Sequence, residues 1–364
     1  MNIEMMSLME GHSDRIRNQR IERAVPLATP AQIFEELPLT AELADVVLDG
    51  RDEVAAILDG TDDRVLVVVG PCSVHDADAA RDYAQRLSAK ADELSGELCV
   101  AMRVYFEKPR TTTGWKGMIN DPHLDGTGDV NLGLRLARGL LLEVLALGLP
   151  VGCEFLDPIT PQYISDTVSW AAIGARTTES QIHRQLASGL SMPVGFKNGT
   201  DGNIDVAVDA VRAAAASHAF AGIEVNGTPA VHHTSGNPDC HIILRGGRGA
   251  PNYEPAMVAE ATRRLEAAGL PGRLVVDASH DNSGKDHHRQ PAVASDLARQ
   301  LAGGNAAIVG VMMESFLVEG RQPSQAGREL TYGQSITDAC MSWDQTVAVI
   351  DELAGAVRDR RDGG

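Results

Sequence analysis

The chain has 364 residues, of which 32 are Lys or Arg and 50 are Asp or Glu, giving a formal net charge of −18. This length fits one barrel-sized domain with an extension, and the acidic balance argues against non-specific binding to nucleic acids or anionic membranes. Five widely spaced cysteines include no CxxC pair, which argues against a disulfide framework and predicts a reducing, cytoplasmic setting. Because no signal-peptide core and no apolar run of about 18 residues is present, we expect a soluble protein.

Residues 1–60 are polar and punctuated by proline, with a helical pattern over 41–58 and no strong strand candidate. We interpret them as an N-terminal extension with a regulatory or oligomerisation role. From 61 to 355, short β-rich runs alternate with Ala- and Leu-rich helical stretches, a pattern typical of repeated βα units and a parallel sheet. A charged tail, residues 356–364, ends the chain.

Eight runs in the central region are predicted strands: 65–73, 100–106, 150–156, 171–175, 193–197, 241–245, 274–279 and 306–314. Two further runs, 219–225 and 230–234, flank Asn226-Gly227, a hairpin signal that predicts an inserted β-ribbon at about 219–235. Eight parallel strands over this length predict an α/β fold, the (β/α)8 TIM barrel. A doubly wound open sheet is the alternative, but no GxGxxG follows the first strand.

Polar groups follow every predicted strand, at the end where a barrel carries its chemistry. In chain order they are Cys72, Arg103 with Lys108, Glu154, Arg176, Lys197, Arg245, His280 and Glu314. The loop KPRTTTGWKG (108–117) leaves the second strand with cations and threonine hydroxyls, which suit a sugar phosphate. Their presence at all eight strand ends indicates one shared site.

Two chemical sets emerge from these groups. Cys72, His280 and Glu314 offer a thiolate, an imidazole and a carboxylate, and Asp338 after the last strand can supply a fourth ligand. Such a set suits a divalent transition ion such as Mn, Fe, Co or Zn, acting as a Lewis acid on a carbonyl. The second set is cationic and can bind two phosphates and a carboxylate; its members are Arg103, Lys108, Arg110, Arg176, Lys197 and Arg245. The run His287-His288-Arg289 also invites a metal interpretation, but we expect a solvent-exposed loop there.

Over about residues 15–355 the chain resembles the type I 3-deoxy-D-arabino-heptulosonate 7-phosphate (DAHP) synthases, the metal enzymes that open the shikimate pathway. The shared motifs are GPCSVHD (70–76), RVYFEKPRTTTGWKG (103–117), GCEFLDPITPQY (152–163), IGARTTESQIHR (173–184), PVGFKNGTDG (193–202), CHIILRGG (240–247) and SITDAC (335–340). The resemblance implies that Cys72, His280, Glu314 and Asp338 hold the metal. It also implies that Arg103, Lys108, Arg176, Lys197 and Arg245 bind phosphoenolpyruvate, and that Arg110 and Thr111 hold the phosphate of erythrose 4-phosphate.

The implied reaction is a transfer that joins C3 of phosphoenolpyruvate to the aldehyde of erythrose 4-phosphate, adds water at C2 and expels inorganic phosphate. We expect Glu154 and His280 to orient the water, and Lys108 to protonate the new hydroxyl. One alternative is 3-deoxy-manno-octulosonate 8-phosphate synthase, which takes a five-carbon sugar; the KPRTT loop and the extension argue against it. The other is a catalytically silent regulatory paralogue. We expect a homodimer or homotetramer with no nucleic-acid or membrane partner.

The resemblance also implies feedback control by an aromatic amino acid, bound where the extension meets the ribbon. The implied effector residues are Pro161, Gln162, Ser191, Phe220 and Gly222. Family members sensitive to phenylalanine often carry Ser at the position of Gly222. Gly there removes a side chain where a phenol hydroxyl would need room, so we expect tyrosine to inhibit more strongly than phenylalanine. Two departures from the family pattern are Asp281, where many members have a small residue, and Val225-Asn226 in the ribbon, which could instead abolish sensitivity.

Overall fold

The computed structural model describes residues 16–110, 114–324 and 329–363. Its strands are β1 (Val65–Gly70), β2 (Leu98–Arg103), β3 (Val151–Glu154), β4 (Trp170–Ile173), β5 (Val194–Lys197), β6 (Ala219–Ile223), β7 (Pro229–His233), β8 (Cys240–Leu244), β9 (Leu274–Asp277), β10 (Ile308–Glu314), β11 (Val318–Arg321) and β12 (Gln334–Ser335). Eight of them close into a parallel barrel in the order β1, β2, β3, β4, β5, β8, β9, β10. The predicted (β/α)8 barrel is therefore confirmed, and every predicted strand lies within a few residues of an observed one.

The helices run along the outside of the barrel and across one end. They are α1 (Pro30–Glu36), α2 (Ala41–Asp59), α3 (Ala77–Glu93), α4 (Val130–Leu145), α5 (Pro161–Ile164), α6 (Gln181–Gly189), α7 (Asp205–Ala214), α8 (Pro255–Ala267), α9 (Gln290–Ala302) and α10 (Trp343–Asp362). α10 begins at a capping box, because Ser342 and Gln345 exchange side-chain and backbone hydrogen bonds. No helix in the described ranges is long and apolar enough to cross a membrane.

The barrel strands are buried on both faces, which explains why they are continuous apolar runs rather than alternating ones. Leu66 and Val68 of β1 belong to an inner cluster with residues such as Trp170, whereas the alternate β1 side chains pack in the layer shared with the helices. Val54 and Ile57 of α2 join the inner cluster. Since α2 ends just before β1 begins, it seals the N-terminal end of the barrel.

The inserted ribbon consists of β6 and β7, paired antiparallel with Phe220 opposite His232. Its turn falls at Asn226 and Gly227, as predicted, and Gly227 has a φ of +82°, which glycine adopts without strain. The ribbon contacts the N-terminal extension, because the Ala31 N–H donates to the Val225 carbonyl at 2.8 Å.

Candidate active site

Three of the predicted metal ligands lie together where β1 and β10 end. Cys72 Sγ and carboxylate oxygens of Glu314 and Asp338 all lie within 4.8 Å of one another. The first two come together because Gly70 and Glu314 pair in neighbouring parallel strands. Asp338 arrives from the loop before α10, and its backbone N–H donates to Cys72 Sγ at 3.4 Å. Residues far apart in sequence thus form one cluster, in which Cys72 and Glu314 are buried and Asp338 is exposed.

His280 brings an imidazole to this cluster, with Nε2 3.8 Å from Glu314 Oε1. Its other nitrogen, Nδ1, lies 2.8 Å from Asp277 Oδ2 and 2.7 Å from Ser279 Oγ. A carboxylate on one ring nitrogen is the usual means of aiming the other nitrogen at a metal. His280 also has a φ of +52°, which a non-glycine residue adopts only when its surroundings impose it. The donors are one sulfur, one nitrogen and carboxylate oxygens, and they fit a divalent transition ion.

The charges around Cys72 have opposite effects on the pKa of its thiol. Burial and, after it, the neighbouring Glu314 carboxylate raise the pKa of the Cys72 thiol to about 12. Lys108 Nζ donates to Cys72 Sγ at 2.9 Å and acts in the other direction. Burial lowers the pKa of Lys108 itself, but Cys72 and Asp338 outweigh burial and raise it overall. A divalent ion in the cluster would deprotonate the thiol, since a coordinating thiol binds as the thiolate.

Arg103 is completely buried beside the cluster. Its Nη2 donates to Glu314 Oε1 at 3.0 Å, and its Nε donates to the Pro71 carbonyl at 3.0 Å. The guanidinium also lies 3.6 Å from the centre of the Tyr105 ring, a cation–π contact. Arg103 therefore holds Glu314 in place, in addition to the substrate role predicted for it.

Asp277 is a site residue that the sequence analysis did not identify. It ends β9, is fully buried, and accepts a hydrogen bond from Lys197 Nζ at 2.8 Å. Because it also lies against His280 Nδ1, it connects a predicted substrate cation to a predicted metal ligand. The motif DASH (277–280) contains the pattern that could have identified Asp277: a carboxylate at a strand end, three residues before the histidine.

Arg245 follows β8 and is also buried. Its backbone N–H donates to Asn198 Oδ1 at 2.8 Å, and its Nη1 forms an ion pair with Asp281. Within the described part of the chain, the buried Nε of Arg245 finds no hydrogen-bond partner. A buried donor left unpaired is costly, so this nitrogen is suited to an anionic ligand. The departure noted at Asp281 therefore acts directly on a predicted substrate residue.

A cleft of about 660 Å³ opens beside Lys108. Its other cations are Arg110, Lys116 and Arg176, all exposed, whereas Thr111 lies outside the described residues. The loop closes back on its strand because the Lys108 N–H donates to the Lys116 carbonyl at 2.9 Å. The next residue, Gly117, has a φ of +120°, and a Cβ there would lie 1.9 Å from the Phe106 carbonyl oxygen. Only glycine permits this return.

Two buried glutamates lie at the end of β3 and just after β2. Glu154 ends β3. A Cβ on Gly174 would lie 2.2 Å from Glu154 Oε1, so the carboxylate fits only because residue 174 is glycine. Glu107, which the sequence analysis did not identify, lines the cleft and accepts from Thr160 Oγ1 at 3.0 Å. Burial raises the pKa of Glu107 to about 7, although the hydrogen bond from Thr160 acts to lower it.

A second cavity, of about 720 Å³, lies beneath the inserted ribbon. Three predicted effector residues, Gln162, Ser191 and Phe220, line it together with His232. The other two do not line it. Pro161 is buried at the start of α5, and a Cβ on Gly222 would lie 2.9 Å from Cε1 of His232. The space at Gly222 is thus taken by the His232 ring.

The fold and the site together are typical of (β/α)8-barrel enzymes that act on anionic substrates. The family described as the DAHP synthetase I family matches residues 37–351. The chain belongs to this family, which confirms the resemblance inferred from the motifs.

Known proteins resemble this chain over nearly their full lengths. The Phe-sensitive phospho-2-dehydro-3-deoxyheptonate aldolase of Escherichia coli K12 is 54% identical over 353 residues, covering 97% of this chain and 100% of that protein. The Tyr-sensitive aldolase of the same strain is 53% identical over 341 residues, covering 93% and 96%. A solved structure of the phospho-2-dehydro-3-deoxyheptonate aldolase from Francisella tularensis SCHU S4 has a TM-score of 0.92 at 46% identity, covering 94% of this chain and 100% of that one.

Proposed function

We propose that this chain condenses phosphoenolpyruvate with D-erythrose 4-phosphate and water to give DAHP and inorganic phosphate. The observation that carries the proposal is the cluster of Cys72, Glu314 and Asp338 beside a cation-lined cleft, in a chain of the DAHP synthetase I family. The heptonate named in the relatives supports a four-carbon acceptor and disfavours the five-carbon rival. All proposed ligand residues are present, which argues against a silent regulatory paralogue.

The residues that would hold the divalent ion (Mn, Fe, Co or Zn) are Cys72, His280, Glu314 and Asp338. When bound, such an ion supplies Lewis-acid polarisation of the aldehyde carbonyl. Asp277 holds the His280 ring through Nδ1, so that Nε2 faces the cluster.

The substrate cations follow other strands, at the same end of the barrel as the proposed metal ligands. Lys197 and Arg245 are buried, and with Arg103, Lys108 and Arg176 they bind the phosphate and carboxylate of phosphoenolpyruvate. Arg245 Nε is suited to this task because it lacks a protein acceptor among the described residues. Arg110 holds the phosphate of erythrose 4-phosphate at the open side of the cleft. Thr111, which lies outside the described residues, shares this role by its place in the motif. Holding two anions in register lowers the entropic cost of the reaction and screens their mutual repulsion.

Three groups act on the proton and the water of the reaction. Lys108 delivers a proton from Nζ to the oxygen of the new hydroxyl. Its raised pKa keeps Nζ protonated until the strongly basic alkoxide oxygen forms and takes the proton. Glu154 and His280 orient the water that adds to C2 from their positions at the ends of β3 and β9.

The cavity beneath the ribbon binds an aromatic amino acid that inhibits the enzyme, and the assembly is a homodimer or homotetramer. Support for the effector comes from relatives named Phe-sensitive and Tyr-sensitive and from the lining by Gln162, Ser191 and Phe220. Because residue 222 is glycine, the His232 imidazole occupies the space beside it at the cavity wall, where it can hydrogen-bond a phenol hydroxyl. Tyrosine therefore inhibits more strongly than phenylalanine.

A phosphate-release assay tests the activity. The expected result is release that needs both substrates, stops after treatment with a chelator and returns with a divalent transition ion. Arabinose 5-phosphate in place of erythrose 4-phosphate should give a clearly lower kcat/KM. Full activity of Cys72→Ala after exhaustive chelation would remove the metal from the proposal, and equal use of arabinose 5-phosphate would favour the five-carbon rival.

A further inference from the structure

A second group of metal-ligand side chains lies on the turn that follows β9 and His280. Residues His287–Arg289 form a short 3-10 turn, and Asp286 caps it by accepting from the His288 N–H at 3.0 Å. One ligand atom each from Asp286, His287 and His288 can be chosen so that all lie within 4.8 Å of one another. We expected a solvent-exposed loop here, and Asp286 and His288 are indeed exposed; the turn in addition brings the three side chains close together.

A fourth donor from a different element lies beside His288. Glu319, on β11, places Oε2 4.0 Å from His288 Nδ1, and Asp286 Oδ1 lies 4.0 Å from His287 Nδ1. The two imidazole rings have centroids 3.9 Å apart and are tilted by 37°. Two imidazoles are therefore flanked by two carboxylates.

This donor set has a defined chemical preference. Imidazole and carboxylate together suit divalent transition ions such as Zn, Co, Ni or Cu, rather than Mg or Ca. Bonds of about 2.0–2.2 Å to one ion require the donors to close by about 1 Å from their present separations. The side chains can make this movement, because those of His288 and Glu319 are 61% and 49% exposed. The flanking Lys285 and Arg289 are also exposed and can turn away.

We propose that Asp286, His287, His288 and Glu319 form a second site for a divalent transition ion. This site shares no side chain with the Cys72 cluster, and unlike that cluster it contains no sulfur. It lies close to that cluster, because His287 lines a small cavity together with His280, Glu314 and Asp338. Its existence does not depend on the reaction proposed above.

The chain provides its own control, a second pair of adjacent histidines. His232 and His233 lie on β7, where neighbouring side chains point to opposite faces of the ribbon. They therefore cannot close on one ion as the pair on the turn can. His232→Gln/His233→Gln removes the same number of imidazoles as His287→Gln/His288→Gln.

The experiment is a titration of the metal-free full chain with Co²⁺, followed by absorbance and by equilibrium dialysis. A Co²⁺ ion bound to Cys72 gives a sulfur-to-metal charge-transfer band, whereas an ion at the second site gives only ligand-field bands. Wild type should bind a second equivalent that adds no charge-transfer absorbance, and Cys72→Ala should retain it. His287→Gln/His288→Gln should weaken that equivalent by more than about tenfold, because even loss of a group that merely orients a ligand costs about 10–100-fold.

The control variant should bind the second equivalent as wild type does. The proposal is overturned if wild type binds only the equivalent with the charge-transfer band, or if His287→Gln/His288→Gln keeps the second equivalent. Loss of that equivalent in His232→Gln/His233→Gln would also overturn it, by placing the ion on the ribbon.

Discussion

Replacing Asp277 with Asn should damage both the stability of the barrel and its affinity for metal. The carboxylate is fully buried and accepts from Lys197 Nζ at 2.8 Å, from the Ser279 N–H at 2.9 Å and from the Ser279 hydroxyl at 2.5 Å. Its Oδ2 also lies 2.8 Å from His280 Nδ1. Asn keeps the shape but removes the charge, and its amide group cannot accept all of these hydrogen bonds.

The magnitude follows from these contacts. Removing one member of a buried ion pair costs about 3–5 kcal/mol, because the other charge stays buried without its counter-ion. Such a loss is a large share of the 5–15 kcal/mol by which a typical domain is stable. The His280 ring also loses the acceptor that fixes its tautomer, so affinity for the metal should fall by about 10–100-fold.

Urea unfolding of the metal-free protein measures the first effect, and competition with a chelator measures the second. Asp166→Asn is a matched control, since it breaks the ion pair with the buried Arg138 at 2.7 Å and leaves the metal ligands untouched. The control should lower stability without changing metal affinity. The role given to Asp277 would be refuted if Asp277→Asn kept its metal affinity, or if Asp277→Asn and Asp166→Asn lost metal affinity equally.

Three further predictions concern other parts of the site. Asp281→Asn should lower the KM for phosphoenolpyruvate about fivefold in steady-state kinetics. The Asp281 carboxylate pairs with Arg245 and repels the anionic substrate by about 1 kcal/mol, and the substitution removes this repulsion. An unchanged KM would mean that Arg245 does not face the substrate. Glu107→Gln should gain stability over wild type by about 3 kcal/mol as pH rises from 4.5 to 7, because burial raises the pKa of Glu107 to about 7 and its ionisation then favours the unfolded chain. A constant difference in urea unfolding across that range would contradict this. Gly222→Ser should displace the His232 ring and weaken inhibition by tyrosine relative to phenylalanine in initial-rate assays; unchanged selectivity would remove His232 from the effector site.

Much of the architecture was predictable because burial on both faces of a parallel strand leaves a plain signature. Runs such as 65–70 are apolar throughout, and the polar residues that interrupt the pattern fall at strand ends. Barrel closure then brings those ends together, which is why Cys72 and Glu314 could be grouped before any contact was known. The Asn226-Gly227 turn predicted the ribbon for an equally local reason.

Features that depend on packing between distant elements were not predictable. Asp277 ends an apolar strand, and nothing in the local pattern shows that Lys197 lies 2.8 Å away on another strand. The ribbon register was equally invisible: it places Gly222 opposite Ala230 and His232 opposite Phe220, so that the His232 ring lies diagonally beside the glycine, where the glycine alone suggested open space. Helix α2 was grouped with the extension because an amphipathic pattern does not show which surface the helix covers.

The closure of the barrel has a consequence for how the chain is made. β1 pairs with β10, the last barrel strand to be synthesised, so one side of β1 waits for its partner until nearly the whole chain has emerged. An apolar strand in that state is prone to associate with other chains. α2 is synthesised immediately before β1, and its Val54 and Ile57 pack in the same cluster as Leu66 and Val68. A truncation designed to test the regulatory extension should therefore stop before Ala41. A longer one would remove α2, the first element that can pack against β1 as the chain emerges.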